Sequence, residues 1–298
     1  IQENKIVEGP SFQIRNVKFD KINTNIVFNK GTPRLKKKIK GRVFAMLTGG
    51  AGNYNYFHWL FDVLPRLKIL SNVTNINEID YFLLPDLKKK FQKETLDIFG
   101  ILSKKRLSSS IYRHIECDEI ISTDHPWVIK NDATNEIQNL PIWIIKWLKK
   151  TLTSNFDLKD NKFPDKIYIE RSDASPNIQI LRKITNEKEV INLVQSKNYK
   201  RIVLSNYSFK EQIKFFYNAK EIVGLHGAGF ANFVFCSSGT KTLELKPSTA
   251  GLMYENLAKK CNLEYDCISV VPEKYAANNQ MGHINVDINL LKNKLSDL

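Results

Sequence analysis

Between residues 166 and 261 the chain switches repeatedly between short apolar runs and amphipathic ones, and that alternation restricts the fold more than any other feature. KIYIER (166–171), RIVLSN (201–206), EIVGL (221–225) and TLEL (242–245) have the length and composition of strands. NEKEVINLVQSK (186–197), SFKEQIKFFYNA (208–219) and LMYENLAKKC (252–261) have helical spacing. Asn186 and Ser208 stand as N-caps, with Glu189 and Glu211 three residues on in the capping-box position. Strand following helix in this way predicts a parallel sheet covered by helices on both faces. Ligands of such sheets bind beyond the carboxyl ends of the strands.

The first half is less regular. Residues 1–40 read as short strands and turns, for example FQIRNVKF (12–19), and residues 43–125 mix strands with helices. YFLLPD (81–86) and DEIIST (118–123) look like buried strands, LKKKFQKETLDIFGI (87–101) and PIWIIKWLKKTL (141–152) like helices. The polar stretch SNFDLKDNKFPDK (154–166) is the best linker. The expected organisation is therefore two domains, 1–155 and 156–298, within a 298-residue chain long enough for either one large or two medium units.

With 42% hydrophobic and 26% charged residues the composition is that of a soluble globular protein, able to bury a core without staples. The four cysteines lack CxxC spacing, which argues against a zinc site or a disulfide framework and mildly favours a reducing compartment. No apolar run approaches the ~20 residues of a membrane span, and no signal peptide is visible. The chain opens at Ile1 without an initiator methionine, which leaves open whether a leader or anchor precedes it. The net charge is +14, concentrated in RLKKKIKGR (34–42) and LKKKFQK (87–93). It points to nucleic acid, an anionic membrane surface, an anionic substrate or simply a solvated basic surface. Aromatics are not interleaved with the lysines as single-strand binding requires, and no nucleic-acid motif appears.

Two stretches carry chemistry. In EIVGLHGAGFANFVF (221–235) a strand runs into His226, Gly227, Ala228 and Gly229 and then a helical segment holding Asn232. Glycines there let backbone approach a ligand, and the helix start suits a phosphate. A tight turn capped by His226 is the plainer alternative. The full GxGxxG and GxxxxGK[ST] patterns are absent. Glu244, near the end of TLEL, is placed to accept ribose hydroxyls or to pair with Lys246. Arg171 follows a strand and Arg182 precedes a helix, where a guanidinium fork suits a diphosphate. The second stretch is GGAGNYNYFHWLFDVLPRL (49–67). Phe57, Leu60, Phe61, Leu64 and Leu67 form a helical stripe, His58 and Asp62 share another face, and Pro65 removes a backbone hydrogen bond.

NYFHWLFDVLPRL, then ERS…RKITNE, then EQIKFFYNAKEIVGLHGAGFANFVFCSSGTKTLELKP resemble, in order and spacing, glycosyltransferase family 61, over roughly residues 43–292. The closing HINVDINLLKNKL (283–295) looks like the family's usual end. Two positions depart from the pattern: Leu225 stands where the family often has proline, and Leu181 where it often has a first arginine. The resemblance implies an α/β GT-B fold, two Rossmann-like lobes facing a cleft lined by residues 52–62 and 226–232. The last helix is a candidate to pack back on the N-terminal lobe. It implies an inverting transferase moving a sugar from a nucleotide-sugar donor, UDP-linked by preference, to a glycan or protein hydroxyl. On that reading His226, Gly227, Ala228, Gly229, Asn232, Glu244, Arg171, Arg182 and Lys183 bind the donor, and Gly52, Asn53 and Tyr56 line the acceptor side. Asp62 is the favoured base, because its charge also opposes the positive charge growing on the sugar, with His58 the near-equal alternative. No cofactor or metal is expected: there is no DxD, and EYD (264–266) reads as a structural helix end. The setting implied is cytoplasmic, peripheral at the inner face of an anionic membrane, in bacterial surface-polysaccharide (capsule) synthesis. The competing readings are a basic nucleic-acid-binding protein and a glycan-binding protein without turnover.

Overall fold

The computed structural model of this chain describes residues 14–15, 18–19, 35–48, 54–130, 132–154, 156–174, 182–272 and 282–298. The chain divides into two compact units, Ile1–Leu148 and Lys149–Leu298. Each is a mixed α/β unit built on a parallel sheet. The stretch expected to be a linker is anchored: the Asp160 carboxylate pairs with Lys214 at 3.0 Å, and the Asn218 amide donates to the Leu158 carbonyl. The division falls instead within the helix Ile142–Thr153.

At the start of the first unit, Ile14–Arg15 (β1) and Lys18–Phe19 (β2) pair antiparallel. The main sheet comprises Lys37–Ala45 (β3), Tyr81–Leu84 (β4), Arg106–Ser108 (β5) and Ile115–Ile121 (β6), in the order β5-β4-β3-β6 and parallel throughout. The chain adds strands on one side of β3, then returns to its other side with β6. Most of the lysine run thus belongs to a central strand, hidden from pattern reading by its charges. The acidic edge strand explains how they are carried: Lys36 pairs with Glu116, Arg42 with Glu119 (2.5 Å), and Gly41 N–H donates to Asp118. These exposed pairs contribute little stability each, but they offset the basic run locally.

The expected apolar stripe holds: Phe57, Leu60, Phe61, Leu64 and Leu67 are all buried. Asn55 caps the helix, its side chain accepting from Phe57 N–H (2.9 Å) and His58 N–H. The helix is α over Tyr56–His58, widens to a π turn over Trp59–Val63, and resumes as α over Pro65–Leu70. The proline is the cause. Pro65 has no N–H for the Phe61 carbonyl and its ring would crowd that group, so the chain inserts a wider turn closed by Leu64 N–H to Trp59 C=O at 3.1 Å.

The second unit holds Lys166–Glu170 (β7), Lys200–Val203 (β8), Glu221–Leu225 (β9), Lys241–Pro247 (β10) and Glu264–Val270 (β11). Their order is β11-β10-β9-β7-β8, parallel throughout. The helices Glu187–Ser196, Phe209–Asn218 and Met253–Lys260 follow the expected boundaries, and Ser208 and Glu211 form the expected capping box. Two expectations are corrected. EYD opens strand β11 rather than ending a helix. The Asn186 side chain does not cap its helix; its amide bridges the backbone of Val286 instead, accepting from N–H and donating to C=O, both at 2.9 Å. The closing helix Ile288–Asp297 buries Leu291 and Leu295 in this unit's core, beside Val190 and Val194.

Candidate active site

In each unit the side chains of interest follow two strands that are neighbours in the sheet but not consecutive in the chain, β3 and β6 in the first, β7 and β9 in the second. Open parallel sheets bind ligands at such points.

In the first unit that point lies between β3 and β6. The chain leaving β3 reaches the helix of His58 and Asp62; the chain leaving β6 reaches Thr123, Asp124, His125 and Trp127. His58 Nδ1 lies 2.7 Å from Asp62 Oδ2. A carboxylate accepts, so Nδ1 carries the proton and the basic lone pair is on Nε2. Asp62 is only 6% exposed. Its other oxygen accepts from the buried Trp127 Nε1–H at 2.7 Å. His125 Nε2 is 3.8 Å from Asp62 Oδ2, an electrostatic neighbour beyond hydrogen-bond length. Arg66, one helical step past Asp62, joins the two segments. Its Nε donates to the Asp62 carbonyl (3.2 Å) and its Nη1 to the Thr123 carbonyl (2.9 Å). Burial lowers the Arg66 pKa, opposed by Asp62 and Asp124. Burial also brings His125 down to about 4, against the pull of Asp62, so it is neutral at physiological pH. Tyr56 packs edge-on against Phe91 with ring centres 5.0 Å apart, which fixes the helix start against the helix Lys90–Ile98. Gly49, Gly50, Gly52 and Asn53 lie outside the described residues.

In the second unit that point lies between β7 and β9, and Arg171 follows β7 as His226 follows β9. Arg171 Nη1 donates to the His226 carbonyl at 2.7 Å, and its guanidinium lies flat against Gly227. A Cβ on Gly227 would stand 2.7 Å from Arg171 Cζ. The constraint on this glycine comes from the close approach of Arg171, not from its dihedrals, which are extended at φ 168° and ψ 174°. His226 is 1% exposed. Its Nδ1–H donates to Glu244 Oε1, and the other Glu244 oxygen accepts from the Tyr265 hydroxyl. Both oxygens of Glu244 are thus engaged, and the residue is itself 1% exposed. That arrangement orients His226 and leaves little of the carboxylate for a ribose; nor does Glu244 pair with Lys246. Burial, then the fields of Arg182 and Arg171, hold His226 below its ordinary pKa, though Glu244 opposes them. Arg182 is brought down to about 10 by burial and then by Arg171 beside it. Arg182 thus carries its charge against the field of Arg171, a repulsion that a bound anion would relieve.

Ala228–Phe235 is a 3-10 helix beginning just after Gly227, without a side-chain cap. Asn232 is fully buried and donates to the Gly229 carbonyl (3.1 Å), bracing the turn from inside. Lys183 turns an exposed side chain outward, while its carbonyl accepts from Ile284 N–H at 3.0 Å. Among the described residues no group of three or more His, Cys, Asp or Glu is arranged to hold a metal ion, and no helix is long and apolar enough to cross a membrane.

Reading the sequence missed several of these participants. Arg66 was signalled by its spacing of four from Asp62. Lys246, two residues past Glu244 on the same strand face, is buried with Nζ 3.3 Å from the Gly251 carbonyl. Tyr254 stands edge-on to His226 with ring centres 4.9 Å apart. Trp127 and His125 had no local signal.

A family model described as Glycosyltransferase 61 matches residues 56–243, from the helix start ahead of His58 to the middle of β10. Comparison with curated proteins gave no match. The family match covers well over half of the chain, including His58, Asp62, Arg171, Arg182 and the HGAG turn, and the chain belongs to glycosyltransferase family 61.

Proposed function

We propose that the chain transfers a sugar from a nucleotide-sugar donor to a hydroxyl of a glycan acceptor, with inversion at the anomeric carbon. Arg171 and Arg182 support this most directly. They are half-buried cations at the switch point of a parallel sheet, one laid on the Gly227 backbone beside an uncapped helix start. That is the equipment a leaving nucleoside diphosphate needs. His226, held by Glu244, and Lys246 complete the donor side. With arginines countering the leaving charge no metal is required, and chelation by EDTA is expected to leave turnover unchanged.

On the acceptor side we assign the base to His58. Asp62 spends its oxygens on His58 and Trp127; its part is to orient the imidazole and stabilise the imidazolium. The acceptor hydroxyl gives its proton to His58 Nε2 as its oxygen bonds to the anomeric carbon. The bond from that carbon to the β-phosphate oxygen breaks, and nucleoside diphosphate leaves. The two units take the parts of GT-B lobes, acceptor side first and donor side second. A UDP-linked sugar is the first donor to try. The basic surface fits work at the cytoplasmic face of an anionic membrane, in surface-polysaccharide assembly.

A thermal-shift panel of nucleotide sugars tests this, because a ligand at ~100 times its Kd stabilises by about 2.7 kcal/mol. One donor should stabilise the protein, release nucleoside diphosphate on adding acceptor, and lose both effects in Arg171→Ala. If no nucleotide sugar stabilises the chain or is turned over, the assignment is refuted.

A further inference from the structure

The proposed base leaves unexplained why two rings from a distant segment, the half-buried His125 and the buried Trp127, stand against the carboxylate that orients it. We propose that Trp127 and His125 are positioning residues for His58, acting through Asp62; this deepens the assignment of His58 as base and rests on it.

Trp127 Nε1–H is a donor only, and at 2.7 Å it holds Asp62 Oδ1. With that oxygen pinned, the other faces His58 Nδ1, which selects the tautomer with Nε2 basic. His125 in turn seats Trp127. Its Nδ1 accepts from Trp127 N–H (3.4 Å) and Val128 N–H (3.2 Å), and its ring stands edge-on to the indole with centres 4.6 Å apart. Because Nδ1 accepts, Nε2 carries the proton and turns a positive N–H edge toward Asp62 at 3.8 Å. The depressed pKa of His125 keeps it in that neutral form. Other charged groups act on this cluster: Arg66 backs the peptide of Asp62, Asp124 acts on Arg66, and Glu136 on His125.

Each donor on Asp62 draws off charge that would otherwise hold the His58 imidazolium. Removing one should therefore raise the pKa of His58. The test follows the five histidines and the tryptophan indoles by NMR in a pH titration of the full chain, with neither donor nor acceptor present. In Trp127→Phe the His58 midpoint should rise. In His125→Asn, which keeps an acceptor for the two N–H groups, the Trp127 indole signal should stay in place; in His125→Leu it should move and the His58 midpoint should rise. Wild-type protein offers a check that needs no substitution: the Trp127 indole signal should titrate with the midpoint of His58, and should lose that dependence in Asp62→Asn. A His58 midpoint unchanged in folded Trp127→Phe, or a wild-type indole signal blind to His58, overturns the proposal and leaves the transferase assignment standing. A shifted midpoint in a chain that turns over no nucleotide sugar would refute the assignment of His58 as base and leave the coupling intact.

Discussion

Gly227 and Arg171 constrain each other's identity. Gly227→Ala would drive a methyl into the guanidinium, while the extended backbone at 227 remains open to alanine. The fold should survive and Arg171 should move, weakening nucleotide affinity about tenfold, which corresponds to ~1.4 kcal/mol; calorimetric titration of the variant reads this directly. In the first unit, His58→Ala and Asp62→Asn should each lower turnover by about 10²–10⁴-fold, the range for losing a general base. Donor affinity should be nearly unchanged in both, and His58→Ala should be the more damaging. The opposite order, in a pre-steady-state comparison, would return the role of base to Asp62. At this scale a spacing of four made His58 and Asp62 legible as partners, because a helix brings such residues to one face. The partner of the second Asp62 oxygen was not legible: it is Trp127, 65 residues away along the chain.

The segment that carries Arg182 is held by an element rather than by a residue. Ile284 N–H donates to Lys183 C=O at 3.0 Å, Thr185 N–H to Ile284 C=O at 2.8 Å, and the Asn186 amide clasps Val286. A short parallel bridge between Ile184 and Ile284 thus fixes the backbone next to Arg182. Asn186→Ala removes two of these bonds, which should cost about 2 kcal/mol of stability at roughly 1 kcal/mol each, measurable as a lower denaturant midpoint. Donor affinity should fall several-fold with it, because Arg182 loses its mooring. Most elements were readable from periodicity, and the Ser208 capping box from local pattern alone. The exceptions share a cause. Lys37–Ala45 is a strand because β4 and β6 flank it, and Asn186 leaves its helix uncapped because a distant backbone offers better partners. Both preferences are set by partners far away in the chain.

The whole molecule should weaken in acid. His125 has a folded pKa of about 4 against an ordinary 6.5, and His226 is shifted in the same direction. Between those values the unfolded chain binds more protons than the folded one, so stability falls as pH drops from about 6.5 toward 4. His125 alone accounts for about 3 kcal/mol across that window. Melting temperatures measured through it should fall steeply in wild type and less steeply in His125→Asn. The net charge of +14 should also bring the protein down with vesicles rich in anionic lipid, and binding should vanish as salt screens the interaction. By itself the sequence determined two α/β halves, the apolar stripe that buries the His58 helix, and the strand–HGAG–helix turn. All of these depend on hydrophobic period and local backbone chemistry, which neighbours in the chain specify. Only the tertiary structure decided that β6 returns beside β3, bringing Trp127 to Asp62, and that β7 and β9 lie side by side, laying Arg171 on Gly227. Strand order is a matter of which distant segments bury one another, and no local pattern encodes it.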